Sequence, residues 1–319
     1  MDRRSFIRNV SVATLASPFY YQSCKVDLGI PIIDTHQHLW DLDLFPLSWV
    51  KPPLDRSYLT EDYLQAVEGH NVVKAVYMEV GVPAGLKRKE AEWALELCKD
   101  PDNPTVAAVI STDPTIPEFE SYISTFEGNP HLKGIRYFLR GGEEMFQKQV
   151  LDNLRLLGGM GLSFDLNVPP GLLEDGSRLI DECPNTRFIL NHCGNADPVA
   201  FFEKGKEAPR EPQHDRDLWY REMKNIAQRE NVICKISGIV DNVPDYPLSP
   251  EDLSPIIHHC YDVFGPDRVI FAGDWPVCLR NMPLAGWIET LKEVVAGLSI
   301  TDQRKLFHDN ASAFYGLDD

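Results

Sequence analysis

Residues 31–40 read PIIDTHQHLW. An apolar start, Pro31 to Ile33, runs into Asp34, His36 and His38, each two positions from the next. Side chains two apart in a β-strand point to the same side, so His36 and His38 are expected to face one way, with Asp34 beside them. Near the other end of the chain, residues 268–277 read RVIFAGDWPV. This β-rich run ends on Asp274, behind the small residues Ala272 and Gly273, which are expected to leave space there. Both segments read as strands that carry polar residues at their C-terminal ends.

Similar runs fill the interval. The β-rich stretches are Ile30–His36, Val72–Val80, Thr105–Ser111, Lys133–Leu139, Gly161–Asn167, Arg187–Asn191, Val232–Ser237 and Arg268–Gly273, eight in all. Amphipathic stretches with helical spacing separate them: Thr60–His70, Lys89–Lys99, Ile116–Phe126, Glu144–Leu157, Gly171–Glu182, Asp217–Arg229 and Pro250–Phe264, with Pro283–Ala296 after the last. Eight alternations of strand and helix predict one (β/α)8 barrel of the TIM type, an α/β fold, over residues 25–319. In such barrels the active site lies at the C-terminal ends of the strands.

The first 24 residues, MDRRSFIRNVSVATLASPFYYQSC, do not fit the barrel. Arg3 and Arg4, followed by Phe6 and a mildly apolar stretch, read as a twin-arginine export signal. Cys24 closes the segment and is a candidate lipid-anchor site. The expectation is an exported protein, periplasmic or held at the cell envelope. The leader carries one acid and three arginines, so its removal changes the formal net charge of -17 to -19. That acidity argues against nucleic acid as a partner. Apolar residues make up 43% of the chain and charged residues 25%, which excludes a disordered or fibrous protein. No apolar run reaches the ~18 residues of a membrane-spanning helix. Seven cysteines lack CxxC spacing, and Cys234 and Cys278 fall in apolar runs expected to be core.

Four residues stand out at strand ends. His36 and His38 suit a divalent metal, zinc above all, at the mouth of the barrel. His192 ends the sixth run beside Asn191. Asp274 ends the eighth, where a carboxylate can bind a metal or take a proton from water; an Asp at such a turn can also simply cap a helix.

These residues, in the segments DTHQHLWD, LKGIRYFL, SFDLNVPP, FILNHCGN, NVICKISG, VIFAGDWPVC and DNASAFYGL, resemble the amidohydrolase superfamily. The resemblance runs from residue 34 to 317. It is strongest to the branch of sugar-lactone and 2-pyrone-4,6-dicarboxylate lactonases, and implies hydrolysis of a cyclic ester, typically an aldonolactone. Two departures from binuclear members bear on the metal: Arg136 stands where they carry a carboxylated lysine, and Asn167 where they carry a histidine. Both point to zero or one metal ion.

On this reading His36, His38 and Asp274 hold the metal, with His192 as a further ligand or close neighbour. Asp274 is the expected general base. Arg136 and His192 are the expected stabilisers of the carbonyl oxygen, although Arg136 also suits an ion pair inside the barrel. Expected substrate contacts are Glu79, Tyr77, Trp40, Asp165, Lys235 and Trp275. The Lys235 ammonium is equally suited to pairing with Asp165. Trp49 fits either a sugar platform or packing, and the loop Cys193–Asp215 is expected over the mouth. His258 and His259 fall on an outer helix as surface residues. The competing activity is a metal-dependent decarboxylase on the same barrel, and the competing non-enzymatic class is a carbohydrate-binding barrel without turnover.

Overall fold

The computed structural model describes residues 29–317. The leader and Cys24 therefore lie outside the described residues. Eight parallel strands form one sheet in sequence order: β1 Ile32–Gln37, β2 Val72–Met78, β3 Thr105–Ser111, β4 Leu132–Arg136, β5 Ser163–Leu166, β6 Arg187–Leu190, β7 Val232–Ile236 and β8 Val269–Phe271. A parallel bridge between Gln37 and Trp275, and the bond from Thr35 Oγ1 to the Phe271 carbonyl at 2.7 Å, bring β1 against the β8 end and close the barrel. This is the (β/α)8 barrel that the alternation predicts. Among the described residues no helix is long and apolar enough to cross a membrane.

Two apolar clusters follow from the two faces of the strands. Inside the barrel pack Ile33, Val76, Met78, Ala107, Val109, Ile189, Ile233 and Ile270, with Ala311, Tyr315 and Leu317 of the C-terminal segment. Lys74 of β2, Lys133 of β4 and Arg187 of β6 donate to the carbonyls of Leu317, Gly316 and Phe314, so the C-terminal segment plugs the N-terminal end of the barrel. The other cluster lies between strands and helices. Helix Pro250–Phe264 shows how it is built. Asp252 accepts from Ser249 N at 2.8 Å, and Gly265 follows at φ +75°. Its buried Leu253, Ile256, Ile257, Cys260 and Phe264 recur at helical spacing. Each of the Leu, Ile and Phe side chains contributes about 1.5–3 kcal/mol when fully buried.

The start of β1 departs from simple alternation. The pairing of β1 with β2 slips between Asp34 and Gln37. Asp34 therefore parts from the two histidines. Its carboxylate accepts from Tyr63 on the outer helix Thr60–Ala66 at 2.9 Å, from His36 N at 3.0 Å and from Gly273 N at 2.7 Å. The space expected beside Gly273 is thus filled: a Cβ there would come within 2.4 Å of Asp34 Oδ2.

Candidate active site

A cavity of about 370 Å³ opens at the C-terminal ends of the strands, lined in part by His38, Arg136, Asn167, His192, Asp241 and Asp274. On its floor the side chains of His36, His38, His192 and Asp274 meet. His36 Nε2 lies 3.1 Å from His38 Nε2, and each lies 3.4 Å from Asp274 Oδ1. The ligating atoms of His36, His192 and Asp274 all fall within 4.8 Å of one another.

Backbone geometry aims these groups. Asp274 sits at φ +52°, in the left-handed region. His192, Cys193, Gly194 and Asn195 follow one another at φ +54°, +52°, +64° and +53°. A non-glycine residue there costs roughly 1–2 kcal/mol, strain of the kind that concentrates at functional sites. The turn puts His192 Nδ1 3.0 Å from Ser237 Oγ and leaves Nε2 toward the cavity. Gly238 makes room for this ring, because a Cβ at 238 would stand 2.1 Å from His192 Nδ1. His38 is fixed in the same manner, with Nδ1 2.9 Å from the Met78 carbonyl.

The electrostatics suit metal ligation. Burial, reinforced by Lys235, His192, His38 and Arg136, holds the His36 imidazole well below its usual range. Burial also pushes His192 down to about 4, against the pull of Asp274. Burial by itself pushes Asp274 up, but His192, His38 and Arg136 outweigh it and leave the carboxyl below its usual range. The neutral imidazoles of His36 and His192 beside an ionised Asp274 carboxylate suit the binding of a cation. For zinc with bonds of 2.0–2.1 Å, adjacent ligand atoms of a tetrahedron stand about 3.3 Å apart. The spacings of 3.1 and 3.4 Å among His36, His38 and Asp274 match that edge.

Arg136 crosses the floor from β4. Its Nε donates to Glu79 Oε1 at 2.6 Å, and Nη2 to the Glu79 carbonyl at 2.7 Å. Its Nη1 stands 3.2 Å from His36 Nε2, so the guanidinium and a metal compete for that lone pair. Arg136 thus forms an interior ion pair and also lines the cavity. Glu79 is 2% exposed and its other oxygen accepts from Gly81 N at 2.8 Å, so it orients Arg136 instead of meeting substrate.

Five expected substrate contacts lie behind the cavity wall. Lys235 and Asp165 are fully buried and pair at 2.6 Å, the alternative that their positions left open. Tyr77 donates to Glu90 at 3.1 Å. Trp40 is fully buried, donating to the Arg56 carbonyl at 2.7 Å. Trp275 packs edge-on to Tyr58 and Tyr63. In each case the ring or charge finds its partner within the protein. His258 is exposed, whereas His259 is half-buried with Nε2 3.0 Å from the Tyr220 carbonyl.

Other residues reach the cavity unannounced by the sequence. Phe138 remains 54% exposed on its wall; Trp49, which the sequence offered as a sugar platform or as packing, lines the cavity 40% exposed. Asp241 also lines it, with a buried Oδ1 that has no hydrogen-bond partner. Burial and the nearby Asp274 push its carboxyl well up, partly relieved by Arg280. Asn195 arrives through the left-handed turn and donates to Asn167 at 2.6 Å. The loop after β6 does border the mouth. Arg210 binds both oxygens of Asp197 and the Asn242 carbonyl, tying this loop to the one after β7. The prolines around Asp241 predict a loop there, but nothing in one sequence signals that its carboxylate turns inward.

Comparison with known proteins agrees with this architecture. The chain is 28% identical to an uncharacterized protein, y4mH, of Sinorhizobium fredii, over 90% of this chain and 98% of that protein. It is 26% identical to an L-fucono-1,5-lactonase of Burkholderia multivorans, over 91% and 97% respectively. Among solved structures, a zinc-bound amidohydrolase from Burkholderia multivorans superposes with a TM-score of 0.77 at 22% identity, over 90% of this chain and 99% of that one. The family model described as amidohydrolase matches residues 33–317, from the first strand through the C-terminal plug, and the chain belongs to that family.

Proposed function

We propose that this protein hydrolyses a sugar aldonolactone, opening the ring to the free sugar acid. The observation that carries the reading is the meeting of Asp274 with three buried imidazoles on the floor of a cavity with aromatic walls. Relatives named as L-fucono-1,5-lactonase and L-rhamnono-gamma-lactonase support the substrate class.

The chemistry follows from the residues. A water oxygen attacks the lactone carbonyl carbon while Asp274 takes the water proton. The ring C–O bond then breaks, and Asp274 returns the proton to the departing alkoxide, which is otherwise a poor leaving group. Arg136 is placed to donate to the carbonyl oxygen as charge develops on it. Such a donor is worth about 3–4 kcal/mol. His36, His38 and Asp274, with His192 at the fourth side, would hold one divalent ion. When bound, a zinc-type ion would lower the pKa of water toward ~7 and polarise the carbonyl.

The cavity also suits a sugar. Trp49 and Phe138 offer apolar faces to ring C–H groups, and Asp241 and the Asn167 and Asn242 amides offer polar partners to hydroxyls. The Arg3–Arg4 leader supports a site of action outside the cytoplasm, which fractionation of the expressed full chain would test. The activity is tested by following acid release from a panel of aldonolactones. Release on one stereochemical series supports the reading. A folded, metal-loaded protein inert toward every lactone overturns it and favours the decarboxylase alternative.

A further inference from the structure

Three cysteines far apart in sequence meet beside the active site. Cys193 follows His192 in the left-handed turn, Cys234 lies in β7 and Cys260 in helix Pro250–Phe264. All three are free thiols with no exposed surface. Each sulfur lies within 4.8 Å of the other two. The Lys235 carbonyl lies 3.7 Å from the Cys193 sulfur and 3.8 Å from that of Cys234.

We propose that Cys193, Cys234 and Cys260 form a second, structural metal site for one thiophilic d10 cation of the zinc and cadmium class. Thiolates select such soft ions over magnesium or calcium. With metal–sulfur bonds of about 2.3 Å, three sulfurs around one ion stand about 4 Å apart, so a contraction of under an ångström along each edge closes the site. The thiol protons leave to solvent as the metal–sulfur bonds form. The ion then joins a turn, a strand and an outer helix. It clamps from behind the strained turn that aims His192, and leaves the catalytic carboxylate and imidazoles untouched.

Cadmium distinguishes this site from the catalytic one, because the catalytic ligand set contains no sulfur. The reduced full chain is unfolded and refolded with and without cadmium chloride, and regain of structure is followed by far-ultraviolet circular dichroism. The proposal expects a thiolate-to-cadmium charge-transfer band saturating at one ion per site, and a rise in Tm. The band persists in Asp274→Asn and in Cys98→Ala, and disappears in Cys260→Ser and Cys193→Ala. Either of the last two suffices if the other fails to fold. A refolded chain without the band, or a band that survives in Cys260→Ser or Cys193→Ala, overturns the proposal and leaves the three thiols as apolar packing.

Discussion

The α-carbon of Gly238 faces the ring of His192 so closely that a Cβ there would stand 2.1 Å from Nδ1. Gly238 also lies at φ +62°, which side-chain-bearing residues rarely adopt. Gly238→Ala must therefore push His192 off Ser237 and strain the β7 turn. The expected result is a loss of kcat of at least about 100-fold, as misplacement by about an ångström can cause, with a modest fall in Tm. Steady-state kinetics beside thermal unfolding check it. Unchanged kcat would show that the position of His192 is immaterial.

Asp241 brings a buried, unpartnered oxygen to the cavity. If that oxygen meets a substrate hydroxyl, Asp241→Ala raises KM by about tenfold, equivalent to ~1.4 kcal/mol, and changes kcat much less. A fall in kcat at constant KM would instead place Asp241 in the chemical step.

The Lys235–Asp165 pair is wholly internal. Lys235→Met leaves Asp165 buried without its counter-ion, which costs roughly 3–5 kcal/mol. The double variant Lys235→Met/Asp165→Leu should recover most of that loss, since an apolar pair of similar volume replaces a buried ion pair at little cost. Denaturant unfolding of the two variants checks this. A double variant no more stable than the single one would contradict the account.

Glu90 lies behind the site, held by Tyr77 and by Val80 N, and its second oxygen has no partner. Burial, and then the neighbouring Glu79, raise its carboxyl from 4.5 to about 8. Folding thus favours the protonated form. Between about 4.5 and 8 the native state binds the extra proton, so stability falls as pH rises through that window. Glu90→Gln should remove this contribution and unfold at higher denaturant than the parent near pH 8. Parallel pH–stability curves for the two proteins would exclude it.

The fold was legible because the decisive features are periodic. Eight β-rich runs alternate with helices, and His36, His38, His192 and Asp274 fall where those runs end. What periodicity could not convey is local irregularity. A slipped pairing in β1 turns Asp34 toward Tyr63 while His36 joins His38. Parity also cannot distinguish a substrate contact from an internal partner. Lys235 and Tyr77 were expected at the substrate, yet each is satisfied within the protein. Asp241 and Phe138 reach the cavity from beyond their strand ends, where a chain's course depends on tertiary contacts. The meeting of Cys193, Cys234 and Cys260 depends on how β6, β7 and an outer helix pack, and no spacing signals it.

The proposed mechanism gives Asp274 the proton transfer in metal-assisted lactone hydrolysis. The most direct measurement follows acid release from aldonolactones by the parent protein, with and without chelator, and by Asp274→Asn. This mechanism requires turnover by the parent, its loss on chelation and its return with added zinc. It also predicts a fall in kcat of about 10²–10⁴-fold in the folded variant. An Asp274→Asn protein that hydrolyses lactones at the parent rate would contradict it.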